Sequence, residues 1–222
     1  MIKQIVSLKD REINAKLNLV IIKMVGTLAY NNISVKFILD NFGVEDLARF
    51  FKSPKTENRR LTLWALSNLC DEDNIDGDNL SNTFVDCQNL FTQILVRVVD
   101  DKLCIRVECL ETLCRICHYC DLSHLDKIVN DYKLMELWGD LLDTEATNTA
   151  SQILKKTIDL ISVLLDRAYD YQEFKRFQGN VFMDKAHELS DRIEVLLKHN
   201  DESVYRHAYE FIEKWMPYDE QD

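Results

Sequence analysis

The chain has 222 residues, of which 46% are hydrophobic and 29% are charged, and its formal net charge is −11. A chain with this much negative charge repels phosphate backbones and attracts basic peptides. Nucleic acid is therefore not expected as a direct ligand. Only 5 Gly and 2 Pro are present, too few for the tight turns of an all-β fold. The composition therefore favours long helices joined by short polar loops.

The seven cysteines form no evident disulfide framework. The first residues, MIKQIVSLKDREINAK, become charged too soon for a signal peptide, and no apolar run is long enough to cross a bilayer. We therefore expect a reducing, intracellular compartment and no membrane partner.

Amphipathic segments with helical spacing recur along the chain. The five long ones are LVIIKMVGTLA (19–29), RRLTLWALSNLC (59–70), a segment from about Lys102 to Tyr119, ILKKTIDLISVLL (153–165) and VYRHAYEFIEKWM (204–216). Shorter apolar segments precede the last four, namely VEDLARFF (44–51), LFTQILVRVV (90–99), LMELWGDLL (134–142) and DRIEVLL (191–197). A further short stretch precedes some of these, as in SVKFILDNFG (34–43) and SHLDKIVNDY (123–132).

The long segments repeat at a nearly constant spacing. Their matching core positions, at steps of 41, 47, 48 and 51 residues, are Val25, Leu66, Leu113, Ile161 and Ile212. Three helices at a period in the forties are typical of armadillo repeats, in which neighbouring repeats stack to bury a continuous core. We predict an all-α fold, a right-handed superhelical solenoid of about five armadillo repeats. It forms a single domain over residues 1–222, with units at roughly 1–30 (partial), 31–70, 80–120, 121–168 and 169–217.

The stretch LCRICHYC (113–120) contains C-x-x-C-H, the pattern for covalent haem attachment. Zinc is a second interpretation, because Cys114, Cys117 and His118 are neighbours on a helix surface, but no second C-x-x-C offers further ligands. An apolar stripe of helical spacing also runs through this segment, at Leu103, Val107, Leu110, Cys114 and Cys117. The stripe favours cysteines that act as small buried hydrophobes, so we expect no metal and no cofactor.

The acidic stretch DEDNIDGDN (71–79) superficially resembles a calcium-binding loop. Its aspartate spacing is off by one, and the twelfth position counted from Asp71 is Asn82 where a bidentate glutamate is needed. We therefore interpret this stretch as a solvated loop between two repeats.

Trp64 and Asn68 stand one helical turn apart and point away from the centre of the apolar side of their segment. Two interpretations stay open. In the first, Trp64 packs against the adjacent repeat and Asn68 is a cap or is solvated. In the second, the pair lines a peptide groove: the Asn68 amide holds the backbone of an extended peptide, and the indole walls a slot for a Lys or Arg stem.

Two stretches, KSPKTENRRLTLWALSNLC (52–70) and LLKHNDESVYRHAYEFIEKWM (196–216), resemble repeats of importin-alpha, the adaptor that recognises nuclear localisation signals. Weaker similarity runs from about Leu17 to Met216 and points to the C-terminal half of that family. The resemblance implies a nuclear import adaptor of cytoplasm and nucleus that binds basic nuclear localisation signal peptides of cargo proteins in a concave groove. It also implies that the export receptor binds at the C-terminal end. Nothing near Met1 is densely basic, which leaves importin-beta binding open.

The same resemblance implies a set of peptide-binding residues, namely Lys23, Thr27, Trp64, Asn68, Glu111, Arg115 and Asp159. Trp64 and Asn68 match the family pattern outright, whereas Glu111 and Arg115 stand where a second Trp and Asn are expected. Arg115 would repel a basic ligand unless Glu111, four residues earlier, neutralises it. A diverged armadillo scaffold for protein assembly, with weakened signal binding, is therefore the alternative function.

Catalytic motifs are missing from the sequence, which has no G-x-S-x-G, no Gly-rich phosphate loop and no H-E-x-x-H. A nucleophile pair of Cys117 or Cys120 with His124 is conceivable, but buried helical cysteine is usually inert. We do not expect an enzyme. Trp138 and Trp215 fall on apolar stripes and are expected in the core or at an end cap.

Overall fold

The computed structural model describes residues 15–30, 43–70, 80–142, 150–169, 189 and 191–216. Its helices, numbered in chain order, are α1 (Ala15–Tyr30), α2 (Val44–Phe51), α3 (Thr56–Leu69), α4 (Leu80–Asp86), α5 (Gln88–Val99), α6 (Leu103–Tyr119), α7 (Leu122–Asn130), α8 (Leu134–Leu142), α9 (Ser151–Tyr169) and α10 (Glu202–Trp215). Residues 191–195 are also helical and lead into a 3-10 turn at Leu196–Lys198. No residue in these ranges lies in a strand, so the described chain is all-α, as predicted. None of these helices is long and apolar enough to span a bilayer.

The helices follow the predicted segments closely. Helices α2 and α8 begin and end where the apolar segments do, and α6 covers the cysteine-rich stretch. Helix α4 has no predicted counterpart, because its seven residues are too few to show a period. The acidic stretch 71–79 and nearly all of SVKFILDNFG lie outside the described residues, so the interpretation of the first as a solvated loop stays a prediction.

The chain divides into two compact units, Met1–Leu125 and Asp126–Asp222. In the first unit the third helices of successive repeats stack, α1 on α3 and α3 on α6. The second helices of two repeats stack likewise, α2 on α5. Each second helix also packs on the third helix of its own repeat, α2 on α3 and α5 on α6. In the second unit α8 packs on α9, and α9 packs on α10. Like helices thus stack on like helices, as an array requires when no single repeat can bury its apolar face alone.

The core positions predicted from the sequence are buried. All five matching core positions, Val25, Leu66, Leu113, Ile161 and Ile212, are buried. Trp138 is fully buried in the core of the second unit, and the half-buried Trp215 donates its indole N–H to Ser162 Oγ at 3.2 Å. Burial of the apolar side chains is the main favourable term in such a stack.

The apolar stripe predicted for α6 is wrong in part. Leu103 is 43% exposed, and Val107 and Cys114 are only half-buried. The buried side of α6 instead consists of Ile105, Cys109, Leu110, Thr112, Leu113, Ile116 and Cys117. The buried face of α6 is therefore rotated about the helix axis, by about one residue, from the stripe that the sequence suggested.

The C-x-x-C-H residues do not share one accessible face of α6. Cys117 is buried, Cys114 is half-buried and His118 is exposed. Among the described residues no group of three His, Cys, Asp or Glu could hold a metal ion. Burial raises the pKa of the Cys109 thiol far above its usual value, so this cysteine stays protonated and unreactive.

A buried ion cluster joins two consecutive repeats at the turns before their third helices. Arg59 donates from Nη1 to the carbonyl oxygens of Ser53 (2.9 Å) and Pro54 (3.0 Å), and from Nη2 to Asp101 Oδ1 at 2.7 Å. Arg97 donates to the other oxygen of Asp101, also at 2.7 Å. Burial by itself raises the pKa of Asp101, but hydrogen bonds from Arg59, the Lys102 backbone N–H and Arg97 outweigh this and hold the pKa below its usual value.

A second polar cluster joins α4 to the start of α7. His124 lies between two carboxylates, with Nδ1 at 2.6 Å from Asp121 Oδ1 and Nε2 at 3.2 Å from Asp86 Oδ2. Asn82 donates to Asp121 Oδ2 at 2.8 Å, and Ser123 donates to Asp121 Oδ1. Partial burial lowers the pKa of His124, but its hydrogen bonds to Asp121 and Asp86 leave that pKa above its usual value. The same contacts bring the pKa of Asp121 down to about 2, against the upward effect of its own burial.

We expect the stability of the protein to fall as the pH rises through the folded-state pKa of His124. A histidine whose pKa is raised in the folded state binds its proton more tightly there, so its contribution is complete below the unfolded pKa near 6.5 and is lost above the folded pKa. The expected loss is about 0.2–1 kcal/mol, the range of exposed ion pairs. Urea unfolding at pH 5.5 and pH 9 measures it, and His124→Gln should remove this part of the pH dependence. An unchanged pH dependence in that variant would contradict the assignment.

Candidate functional site

One side of the stacked helices α1, α3 and α6 carries polar and aromatic side chains in matching positions. We call this surface the ladder face, and its members are Lys23, Thr27, Arg60, Trp64, Asn68, Glu108, Glu111 and Arg115. On each helix they follow one another at steps of three or four residues and therefore share a face. All are exposed or half-buried, so the predicted residues of the first three repeats are on one accessible surface.

Trp64 lies against the buried Gly26 of the preceding third helix. A Cβ atom added at Gly26 would stand 2.2 Å from Cζ3 and 2.5 Å from Cε3 of the indole. The glycine therefore makes room for the ring, which lies on the backbone of α1 and stays half-buried. The ring therefore packs on the adjacent repeat, as the first interpretation has it, while the peptide groove of the second interpretation stays a prediction.

Asn68 is bound to the same glycine. Its Nδ2 donates to the carbonyl oxygen of Gly26 at 3.2 Å. This bond fixes the orientation of the amide one turn beyond Trp64 and ties α3 to α1. An amide held in one orientation is a preorganised partner for the backbone of an extended peptide.

Arg115 takes the place of Asn68 in the next repeat, in sequence register and in contact. Its Nη1 lies 3.5 Å from the carbonyl oxygen of Ser67, and Ser67 corresponds to Gly26 in the repeat register. Ser67 Oγ also lies 3.1 Å from Thr112 Oγ1. The guanidinium thus lies along the joint between α3 and α6, and its neutralisation by Glu111 stays a prediction.

The other members of the ladder face complete a mixture of charges. Thr27 donates its hydroxyl to the Lys23 carbonyl oxygen at 2.8 Å, and Lys23 itself is exposed. Arg60 reaches across to Glu108 with 3.3 Å between Nε and Oε1. The ladder face is therefore not uniformly acidic, although the chain as a whole carries a charge of −11.

Asp159 belongs to the second unit. Its carboxylate lies 3.2 Å from Lys156 Nζ and 3.6 Å from His207 Nε2 of α10. Two further pairs join α9 to α10 at the same sequence separation, Lys155 with Ser203 and Asp166 with Lys214. Asp159 thus belongs to a polar row between α9 and α10, and its role in peptide binding stays a prediction.

No protein-family model matches the chain, and no curated protein is significantly similar to it in sequence. Solved structures are similar in fold. One is a designed armadillo repeat protein in complex with the peptide (KR)4, with a TM-score of 0.70 and 16% identity over 96% of this chain and 80% of that one. The fold is an armadillo-repeat solenoid. Computationally designed armadillo repeat proteins for modular peptide recognition are also similar, with a TM-score of 0.67 and 15% identity over 96% of this chain and 81% of theirs.

Gly26 is the residue of the candidate site that sequence reasoning missed. A signal for it was present, because glycine inside a helix costs roughly 0.5–1 kcal/mol relative to alanine. Such a residue in the middle of KMVGTLA indicates a close approach of another group. Trp64 is that group, but its identity depends on a contact 38 residues away along the chain.

Proposed function

We propose that the ladder face binds an extended basic peptide and that the chain acts as an importin-alpha-like adaptor for nuclear localisation signals. The observation that carries the proposal is the half-buried Trp64 resting on Gly26, with Asn68 oriented by the same residue. The ring offers a flat wall to an aliphatic Lys or Arg stem, and the amide offers a backbone partner. The designed armadillo protein in complex with (KR)4 supports basic peptides as ligands of this fold.

The adaptor role extends the proposal to other partners. It implies cytoplasm and nucleus as compartments and an export receptor at the C-terminal end. Helix α10 supports the second point, because it presents the exposed, stacked pair Tyr205 and Tyr209 with ring centroids 6.2 Å apart. Tyr209 also donates its hydroxyl to Glu213 at 2.9 Å. Tyrosine is enriched in the cores of protein–protein interfaces, so an exposed tyrosine pair suits a docking surface.

A diverged scaffold is the second candidate function. The observation that favours it is Arg115, whose guanidinium lies at Ser67 where the preceding repeat has Asn68. A cation at this place weakens a second subsite for a basic side chain. Under this alternative the array joins protein partners, and the ladder face does not select basic peptides.

Titration of a fluorescent bipartite nuclear localisation peptide, followed by anisotropy, tests the proposal. We expect saturable binding that salt weakens and that Trp64→Ala reduces about tenfold, since stacking and cation–π contact contribute about 0.5–2 kcal/mol. Tyr205→Ala is the matched control, because it removes an exposed aromatic side chain from α10 instead. A peptide with all Lys and Arg changed to Ala should not bind. Absence of binding at high micromolar protein, or equal binding by Trp64→Ala, would favour the scaffold.

A further inference from the structure

The charges of the ladder face are arranged in rows that cross the three stacked helices. In the repeat register Lys23, Trp64 and Glu111 are equivalent positions on α1, α3 and α6. We call these three residues the central row. Read across the stack, the central row is a cation, then an aromatic ring, then a carboxylate. An extended peptide lying across the helices meets these three groups in turn.

The spacing of the central row sets a spacing in the ligand. Packed helix axes lie about 8–10 Å apart, and an extended chain rises about 3.3 Å per residue. Neighbouring groups of the row therefore face peptide residues about three positions apart. A basic side chain whose stem lies on Trp64 directs its head to Glu111, and the residue about three positions away on the other side faces Lys23.

A run of basic residues fits this row poorly. It places a second cation against the exposed Lys23, and it approaches Arg115, whose guanidinium already lies along the joint between α3 and α6. Arg60 is engaged with Glu108 one turn away, which reduces the negative potential available there. An acidic side chain facing Lys23 converts that repulsion into attraction.

We infer that the ladder face selects peptides of mixed charge, in which one Lys or Arg stands about three residues from one Asp or Glu. The inference rests on the proposed function, because it concerns an extended peptide on the same surface, and it narrows the ligand from a basic run to one basic residue with an acidic residue nearby. Trp64 and Glu111 hold the basic residue, Lys23 holds the acidic one, and Asn68 holds the backbone between them.

Matched peptides in one Ser/Ala framework test the inference, with the pairs Glu-x-x-Lys, Lys-x-x-Glu and Lys-x-x-Lys at the centre. Both mixed orders are needed because the direction of the peptide is open. Binding is followed by NMR at the Trp64 indole N–H, which reports weak affinities, in about 0.15 M salt, where the Debye length of about 8 Å screens the overall charge. We expect one mixed peptide to bind about threefold to fivefold more tightly than Lys-x-x-Lys.

Reversal of one charge sharpens the test. Lys23→Glu should invert the preference, so that Lys-x-x-Lys binds at least as tightly as the mixed peptides. Lys52→Glu makes the same charge change at the end of α2, outside the ladder face, and should leave the preference unchanged. If Lys-x-x-Lys binds most tightly to the unaltered protein, the inference is overturned and peptide binding stands. If no peptide shifts the Trp64 signal, peptide binding by this surface fails as well.

Discussion

Asp101→Ala is expected to lower the free energy of unfolding by about 3 kcal/mol. The carboxylate is 4% exposed and accepts hydrogen bonds from two arginines, and the side chain of Arg59 is itself only 8% exposed. Removing one member of a buried pair leaves the other charge without compensation, which typically costs about 3–5 kcal/mol. We place this case at the lower end because Arg59 keeps its bonds to the carbonyl oxygens of Ser53 and Pro54. Urea unfolding at pH 7 measures the loss.

Two further variants separate the ion cluster from a general effect of substitution. Asp100→Ala changes the adjacent, exposed aspartate and should alter stability by less than about 0.5 kcal/mol. Asp101→Asn keeps the shape of the side chain but removes its charge, so it should destabilise nearly as much as Ala. Equal stability of the Asp100 and Asp101 variants would contradict the cluster as a joint between repeats.

The pH gives an independent check on Asp101. Its pKa is lowered in the folded protein, so its contribution is complete above the unfolded pKa of about 3.9 and is lost as the pH falls through the folded value. The His124 cluster has the opposite sign and loses its contribution as the pH rises. Between these two transitions both clusters contribute, so stability should be greatest in the mildly acidic range.

The repeat architecture could be predicted because its signal is local. Each third helix is long enough to show a period, and the five core positions recur at spacings that only an array explains. Helix α4 could not be predicted, since seven residues with Leu80, Phe84 and Val85 buried do not distinguish a helix from a short apolar turn. Local pattern thus identifies long elements and misses short ones.

The polar core of α3 shows a different limit of sequence reasoning. Arg59, Thr62 and Ser67 are buried, although their side chains are polar. Their partners include Asp101 and Thr112, which are 42 and 45 residues away along the chain. Nothing in the segment RRLTLWALSNLC shows those partners, so a pattern of hydrophobic residues places such side chains on the surface. Buried polar residues that join two repeats appear only when the repeats are stacked.

The candidate site could likewise be predicted only where a single helix carries the signal. Trp64 and Asn68 stand out because they depart from the apolar side of their own helix, which one helix is enough to show. The partner of Arg115 did not follow from its helix. The sequence offered Glu111, four residues earlier, as the residue that would neutralise it, and the hydrogen bond to the carbonyl oxygen of Ser67 on the neighbouring helix was not foreseen. Contacts between repeats decide how each member of the ladder face is oriented.

Gly26→Ala is expected to destabilise the protein by about 1–3 kcal/mol and to weaken peptide binding at the same time. The new Cβ would stand 2.2 Å from the Trp64 ring, so the ring must move away from α1, at the cost typical of an overpacked core. Moving the ring also displaces α3 from α1 and strains the bond from Asn68 to the Gly26 carbonyl oxygen. The two groups that hold the peptide in our proposal therefore both lose their support.

The decisive comparison repeats the same substitution in a protein without the indole. In a Trp64→Ala background the Cβ meets no ring, and alanine in a helix is favoured over glycine by roughly 0.5–1 kcal/mol. Gly26→Ala should therefore destabilise the unaltered protein and stabilise the Trp64→Ala variant, a change of sign that urea unfolding of all four proteins detects. The same loss in both backgrounds would show that Gly26 serves another neighbour. In that case a contact other than the backbone of α1 would hold the Trp64 indole in place on the ladder face.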